Sequence, residues 1–296
     1  MGKVCQVKPV LGAHMSISGG LKKALLRGHD LGCNTIQMFT KSSVQWKERF
    51  LEEQEVSGFR EVRKKVNINP VISHNSYLIN LASADDGLYK KSIDAMLHEM
   101  RRCELLGVDY LVMHPGSHRG HGEEYGIEKI VCALNMIHER TRGYKVKITL
   151  ETTAGQGTAL GSRLEQIAQI MKSTEEASRL AFCLDTCHSF AAGYELRTEA
   201  GYEKLFSEIE EITGMEKLKV IHLNDSKGDC GSRIDRHENI GRGMIGERPF
   251  RWIMSDERLK DIPKIIETPG LGKDLEKDRE NLDLLRRFAG FKILDT

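Results

Sequence analysis

The chain has 296 residues, 40% of them apolar and 29% charged, with 44 Lys and Arg set against 43 Asp and Glu. That balance is globular and excludes a disordered or collagen-like chain. The formal charge of +1 excludes a uniformly basic nucleic-acid binder and leaves room only for a local basic patch.

The first ten residues carry Lys3 and Lys8 but no apolar stretch, so no secretory leader is expected. Met1-Gly2 is followed at position 6 by Gln, where myristoylation wants Ser or Thr. Val10 to His14 reads as a strand, and Leu21, Ala24, Leu25 and Leu31 give a helix face closed by Gly32. A second strand, Thr35 to Phe39, leads into the polar stretch Thr40 to Lys47. Phe50, Phe59 and Val62 are assigned to one or two helical segments. Val71 to Ser73 delivers His74, and Ile93, Met96, Leu97, Met100 and Cys103 line a helix ended by Gly107. Tyr110 to Met113 delivers His114-Pro115-Gly116, with a helix face following at Ile127, Ile130, Val131, Leu134 and Ile137. Val146 to Leu150 delivers Glu151, before a helix through Leu164, Ile167, Ala168 and Met171. Leu180 to Leu184 delivers Asp185, with His188 just beyond, and a helix through Tyr202, Leu205, Phe206, Ile209 and Ile212 stops at Gly214. Leu218 to Ile221 delivers His222, and Asp235 and His237 follow in a long polar loop. Phe250, Ile253 and Met254 suggest a short helix; Ile262 to Ile266 delivers Glu267; Leu282, Leu284 and Leu285 mark a last helix.

The apolar runs end near 14, 39, 74, 114, 151, 185, 222 and 267, a spacing of 25 to 45 residues that suits βα units. Runs apolar on both faces suit a parallel sheet. Eight units without a composition break predict one closed (β/α)8 TIM barrel spanning residues 1–296; an open doubly wound sheet is the alternative. No run of about 18 apolar residues is present, so no membrane helix is expected. The seven cysteines are scattered and form no C-x-x-C, which argues for a reducing compartment and a cytoplasmic location.

In such a barrel the active site lies at the C-terminal ends of the strands. There the chain places His74, His114, Glu151, Asp185, His222 and Glu267, with His188, Asp235 and His237 in the adjoining loops. Imidazoles mixed with carboxylates suit Zn²⁺ or Mn²⁺ in a hydrolytic site. Nine ligands exceed the needs of one tetrahedral ion and fit two or three. A single strand-end His is more often a satisfied core or loop residue, and a strand-end Asp often caps the next helix; the repetition on six strands is what favours a metal site. Cys187, beside His188, reads as a ligand or, more often for such a residue, as a buried structural thiol. His98, His118, His121 and His138 read as solvated or loop histidines, and His29 carries no site signal. His14 stands at a strand end and reads either as part of the site or as a group that hydrogen-bonds a ligand.

These residues resemble the endonuclease IV family, the metal-dependent apurinic/apyrimidinic endonucleases of base excision repair (AP endonuclease family 2). The matching stretches are Gly12-Ala13-His14, Ser73 to Leu81, His114-Pro115-Gly116-Ser117, Leu150-Glu151, Asp185-Thr186-Cys187-His188 with Ala191 to Tyr194, His222 to Lys227, Asp235-Arg236-His237-Glu238 with Gly241, and Glu267-Thr268-Pro269. They occur in order over nearly the whole chain.

The resemblance implies three zinc ions: one on His74, His114 and Glu151; a second on Glu151, Asp185, His222 and Glu267; a third on His188, Asp235 and His237, where Mn²⁺ is the alternative occupant. It implies hydrolysis of the phosphodiester 5′ to an abasic site in duplex DNA, leaving a 3′-hydroxyl and a 5′-deoxyribose phosphate, and a 3′-end repair diesterase activity. Two close cations turn a shared water into hydroxide, the implied nucleophile, with Glu151 and Glu267 as catalytic carboxylates. Tyr77 and Leu78 are the implied wedge at the flipped-out nucleotide, although ordinary core packing is the plain alternative for both. Gln45, Lys227 and Arg236 are further implied DNA contacts. Lys227, Arg233, Arg236, Arg242, Arg248 and Arg251 cluster after the seventh strand, where nearby acidic residues nearly cancel their charge. One departure stands at Val44, where some relatives carry Arg; a valine cannot stack a guanidinium into the bases. A monomer is expected. The rival readings are a sugar-isomerase-like barrel, which normally uses two carboxylate-held ions, and a damage-binding module that does not cut.

Overall fold

The computed structural model describes residues 8–46, 49–270 and 272–291. The expectations that concern Met1-Gly2, Lys3, Cys5 and Lys47 lie outside them. Eight strands run parallel: β1 (Leu11–Ala13), β2 (Ile36–Met38), β3 (Val71–His74), β4 (Tyr110–Met113), β5 (Lys147–Glu151), β6 (Leu180–Asp185), β7 (Leu218–His222) and β8 (Lys264–Ile266). Each pairs with its chain neighbour, and β8 returns to β1. The remaining gap between β1 and β2 is bridged at one point, His14 opposite Gln37, where the Met15 amide donates to the Gln37 carbonyl at 2.7 Å. Gly12 is essential to this seam, because a Cβ there would stand 1.8 Å from the Thr35 carbonyl oxygen.

The outer layer holds α1 (Leu21–Asp30), α2 (Glu53–Val66), α3 (Asp86–Leu106), α4 (Glu123–Arg140), α5 (Leu164–Ser173), α6 (Thr186–Ala192), α7 (Glu199–Ile212), α8 (Glu247–Ser255) and α9 (Leu275–Phe288). Gly32, Gly107 and Gly214 follow α1, α3 and α7 with positive φ, as the stop signals predict. Phe59, Phe182, Phe206 and Phe250 are fully buried between helices and sheet. Ile72, Val112, Cys183, Val220 and Ile265 form a separate small cluster drawn from five strands, the filling of the barrel itself.

Three expectations change. Phe50 lies outside the helix, two-thirds exposed and stacked on His98, because α2 begins only at Glu53. The segment after Asp185 is not a loop but the short α6, whose first turn is capped when Asp185 Oδ1 accepts the His188 amide at 2.7 Å. His138 is not solvated: it is 1% exposed in the last turn of α4, and neither ring nitrogen has a partner among the described residues.

Burial, reinforced by Arg179, pushes the His138 imidazole down to about 4 from an ordinary 6.5. The unfolded chain therefore binds more protons between those values, so this contribution to stability is complete above pH 6.5 and is lost as pH falls toward 4. Urea midpoints at pH 7 and pH 5 should show wild type losing more stability on acidification than His138→Leu; equal losses would remove His138 as the cause.

Candidate metal centre

Side chains two apart on a strand share a face. The barrel-filling residues Ile72, Val112, Cys183, Val220 and Ile265 are followed, two positions on, by His74, His114, Asp185, His222 and Glu267. Thr149 and Glu151 stand in the same relation on β5. One geometric rule therefore stacks the apolar filling beneath a polar layer at the strand ends. It also places Gln37 and His14 in that layer, from β2 and the end of β1.

Glu151 is the hub. It is fully buried, and its Oε2 lies 3.0 Å from His74 Nε2 and 3.3 Å from His114 Nε2. Its Oε1 lies 2.8 Å from His222 Nδ1 and 3.4 Å from His188 Nδ1. Glu267 Oε2 is 3.1 Å, and Asp185 Oδ2 3.8 Å, from the same His222 Nδ1. On the outer side, His188 Nε2 is 3.2 Å from Asp235 Oδ1 and 3.4 Å from His237 Nε2. His237 Nε2 also lies 3.7 Å from Asp235 Oδ1 and 3.9 Å from Asp185 Oδ2. Ligand atoms within 4.8 Å of one another form the groups His74–His114–Glu151, Glu151–Asp185–His222–Glu267 and Asp185–His188–His237, with Asp235 alongside the last. Cys183 joins Glu151 and His222 in a further group beneath them. Cys187 is buried and turned to the Arg236 carbonyl, and burial pushes its thiol up to about 12.

The donor chemistry fits divalent cations. Imidazole ligands commonly engage an oxygen acceptor through the other ring nitrogen. Here His74 Nδ1 donates to the Asn75 carbonyl at 2.9 Å, His188 Nδ1 to Thr152 at 2.9 Å and His237 Nδ1 to Glu267 at 2.8 Å. Each then aims Nε2 at the acidic cluster. Asn224 holds the carboxylate side: its Nδ2 donates to Asp185 Oδ2 at 2.6 Å and its Oδ1 accepts the Glu267 amide at 2.7 Å. Burial alone would raise the Glu151 and Glu267 carboxyls, but His222 and the other imidazoles hold both well below the ordinary range. Burial likewise disfavours charge on His188 and His222, yet Asp185, Asp235 and Glu151 push His188, and Cys183, Glu267 and Glu151 push His222, well above the ordinary value. The cluster thus demands positive charge, which bound cations or imidazolium can supply.

Gln37 and Cys183 carry no site signal in the sequence, and Asn224 enters only as part of the stretch His222 to Lys227. Gln37 is paired with the barrel-filling Ile72, a relation that only the fold brings out, whereas Asn224 stands two beyond His222, so period two is the available signal there. His14 is buried, with its Nδ1 3.1 Å from Gln37 Nε2 and 3.6 Å from Glu267 Oε1.

Beside the cluster opens a groove of about 430 Å³, lined by Trp46, Tyr77, Leu78, His114, Arg119 and Asp235 among others. Tyr77 is 55% exposed and Val44 72%, whereas Leu78 is half-buried. Gln45, Lys227 and Arg236 are exposed. Arg251 faces elsewhere, over the Phe288 ring of α9 and bonded to Glu247.

The likenesses to known proteins follow the same architecture. The family model described as "Xylose isomerase-like TIM barrel" matches residues 25–288. A "Probable endonuclease 4" of Geobacter sulfurreducens is 48% identical over 279 residues, covering 94% of each chain. The chain belongs to the endonuclease IV family. A "Probable endonuclease 4" of Chloroflexus aurantiacus is 46% identical over 94% of this chain and 97% of its own. The crystal structure of endonuclease IV from Thermus thermophilus superposes with a TM-score of 0.84 at 36% identity, covering 95% and 99% of the two chains. A D-tagatose 3-epimerase-like protein at 16% identity and TM-score 0.71 shares the fold alone. For this endonuclease IV family member, no helix among the described residues is long and apolar enough to cross a membrane.

The rim loop after β2 is braced from behind. Lys41 Nζ lies 3.4 Å from Glu99 Oε1, both buried, and donates to the Gln45 carbonyl at 2.8 Å. Thr40 Oγ1 donates to Glu99 Oε2 at 2.9 Å, and Ser76 Oγ ties the Tyr77 loop to the Ser43 carbonyl at 2.6 Å. Removing one member of a buried ion pair costs about 3–5 kcal/mol. Lys41→Met should therefore lower unfolding free energy in urea by about 3 kcal/mol or more; a loss under about 1 kcal/mol would show that the pair does not brace the loop.

Proposed function

We propose that this protein hydrolyses the phosphodiester 5′ to an abasic site in duplex DNA, leaving a 3′-hydroxyl and a 5′-deoxyribose phosphate, and that it also clears blocked 3′ ends. The observation that carries this reading is the convergence of His74, His114, Glu151, Asp185, His188, His222, Asp235, His237 and Glu267 in one connected cluster beside an open groove. One zinc would rest on His74, His114 and Glu151, a second on Glu151, Asp185, His222 and Glu267, and a third on His188, Asp235 and His237. Mn²⁺ is the alternative at the third. When bound, such ions supply Lewis acidity that lowers the pKa of water and offsets charge on phosphate oxygens. Glu151 is shared between two of these sets and fixes their spacing. Glu267 keeps Oε2 toward the cluster and orients the attacking water there. Tyr77, Leu78, Gln45, Lys227 and Arg236 are the proposed DNA contacts, Tyr77 and Leu78 as the wedge beside the extruded nucleotide. We propose that the chain acts as a single-domain monomer in the cytoplasm, which suits the six free cysteines among the described residues.

Metal analysis of the purified protein, paired with incision of a duplex carrying one abasic site before and after prolonged chelation, tests the reading. Bound zinc and incision that chelation abolishes are expected; fewer than two ions with no incision would overturn it. Glu267→Gln should keep the ions and lose about 100-fold or more in rate, the ordinary scale of a positioned acid–base group; full metal with full rate would discard that role. Val44→Arg should bind abasic duplex roughly 2- to 5-fold more tightly by fluorescence anisotropy, the worth of one exposed cation–π contact. Unchanged affinity would remove position 44 from the DNA surface.

A further inference from the structure

β2 supplies none of the nine ligand-type residues, yet its Gln37 reaches the middle of them. The side chain is fully buried. Its Nε2 lies 2.6 Å from Glu267 Oε1 and 3.1 Å from His14 Nδ1, and its Oε1 lies 2.8 Å from His222 Nε2. An ionised carboxylate only accepts hydrogen bonds, so the amide nitrogen must face Glu267. The flipped amide would set two oxygens against each other. With the nitrogen so placed, Oε1 faces His222, and His222 Nε2 must carry the hydrogen. In the neutral ring that a cation requires, the lone pair of His222 then sits on Nδ1, the atom 2.8 Å from Glu151 Oε1 and 3.1 Å from Glu267 Oε2. The second amide hydrogen goes to His14 Nδ1, which leaves Glu267 Oε1 to Gln37 and Oε2 to the cluster.

We propose that Gln37 is a positioning residue that selects the Nε2–H tautomer of His222 and reserves one oxygen of Glu267, so that both side chains present one donor atom each to the same cation. The inference rests on the metal reading given under Proposed function. Three of the other imidazoles, His74, His188 and His237, are oriented by main-chain carbonyls, which substitution does not remove. His222 instead depends on this one side chain for its oxygen acceptor, which makes position 37 a sensitive point of the ligand set. Partners of metal-bound imidazoles typically account for about 10- to 100-fold in metal affinity.

Two measurements test this. In zinc-loaded wild type, long-range ¹H–¹⁵N correlation of the imidazoles should show His222 protonated at Nε2 and ligated through Nδ1; ligation through Nε2 would overturn the proposal whatever the variants do. Chelator competition with Zn²⁺ should show Gln37→Leu weaker than wild type by about 10- to 100-fold at one of the ions. Gln37→Met, unbranched like glutamine, serves as the second variant. A role in packing alone would lower the melting temperature of the chelated variants and leave zinc competition at the wild-type value, and that result would also overturn the proposal. A wild type that binds no zinc would remove the metal reading together with this one, whereas zinc bound equally by wild type and variants would remove this one alone.

Discussion

A carboxylate removed from water must be matched by positive charge or by hydrogen bonds, and Glu151 is the most demanding instance in this chain. It is fully buried at the end of β5, with four imidazoles within 3.4 Å. Asp185 and Glu267 add two more buried acids nearby, and Asp235 closes the outer side. Burying such charge is costly unless it is compensated. The histidines, the Asn224 amide and the Gln37 amide are all placed to meet that demand. The apolar filling below them is slight, five residues deep in the barrel, so the strand ends are organised as much by charge as by hydrophobic contact.

Much of this was legible because a strand has a period of two. The sequence showed apolar runs that ended in ligand-type residues, and the strands end within a residue or so of the expected positions. What escaped did so for physical reasons. Gln37 lies inside an apolar run, where a lone amide carries no chemistry of its own until its neighbours are known. Asn224 is an amide and not a metal ligand, so its hold on Asp185 and Glu267 is visible only in the fold. A histidine near a helix end is usually solvated, and His138 is buried only through the packing of α4 beside Arg179. Phe50 has the hydrophobicity of a core residue but precedes the capping box of α2 and stays outside.

The groove beside the cluster is bounded by loops of unequal character. Val44 and Tyr77 stand out from segments held by Lys41, Glu99 and Ser76, all buried. Across the groove, Asp235 lies in a loop joined to its neighbours by main-chain bonds from Gly231 and Arg233 to α6. Exposed apolar side chains on a stiff base lose little freedom when something settles against them, which favours recognition by shape.

The barrel closes at His14 and Gln37, and these two residues also touch Glu267 or His222. Elsewhere around the sheet, His74, Glu151, Asp185 and His222 also sit in strand pairs, but each pair belongs to a run of several paired residues. At this seam the same residues serve both, beside Gly12, whose missing Cβ lets the strands meet. A change there is therefore screened twice, once for a barrel that shuts and once for a ligand layer that stays in register. Recombination or redesign of this fold would do best to move β1 and β2 as a unit.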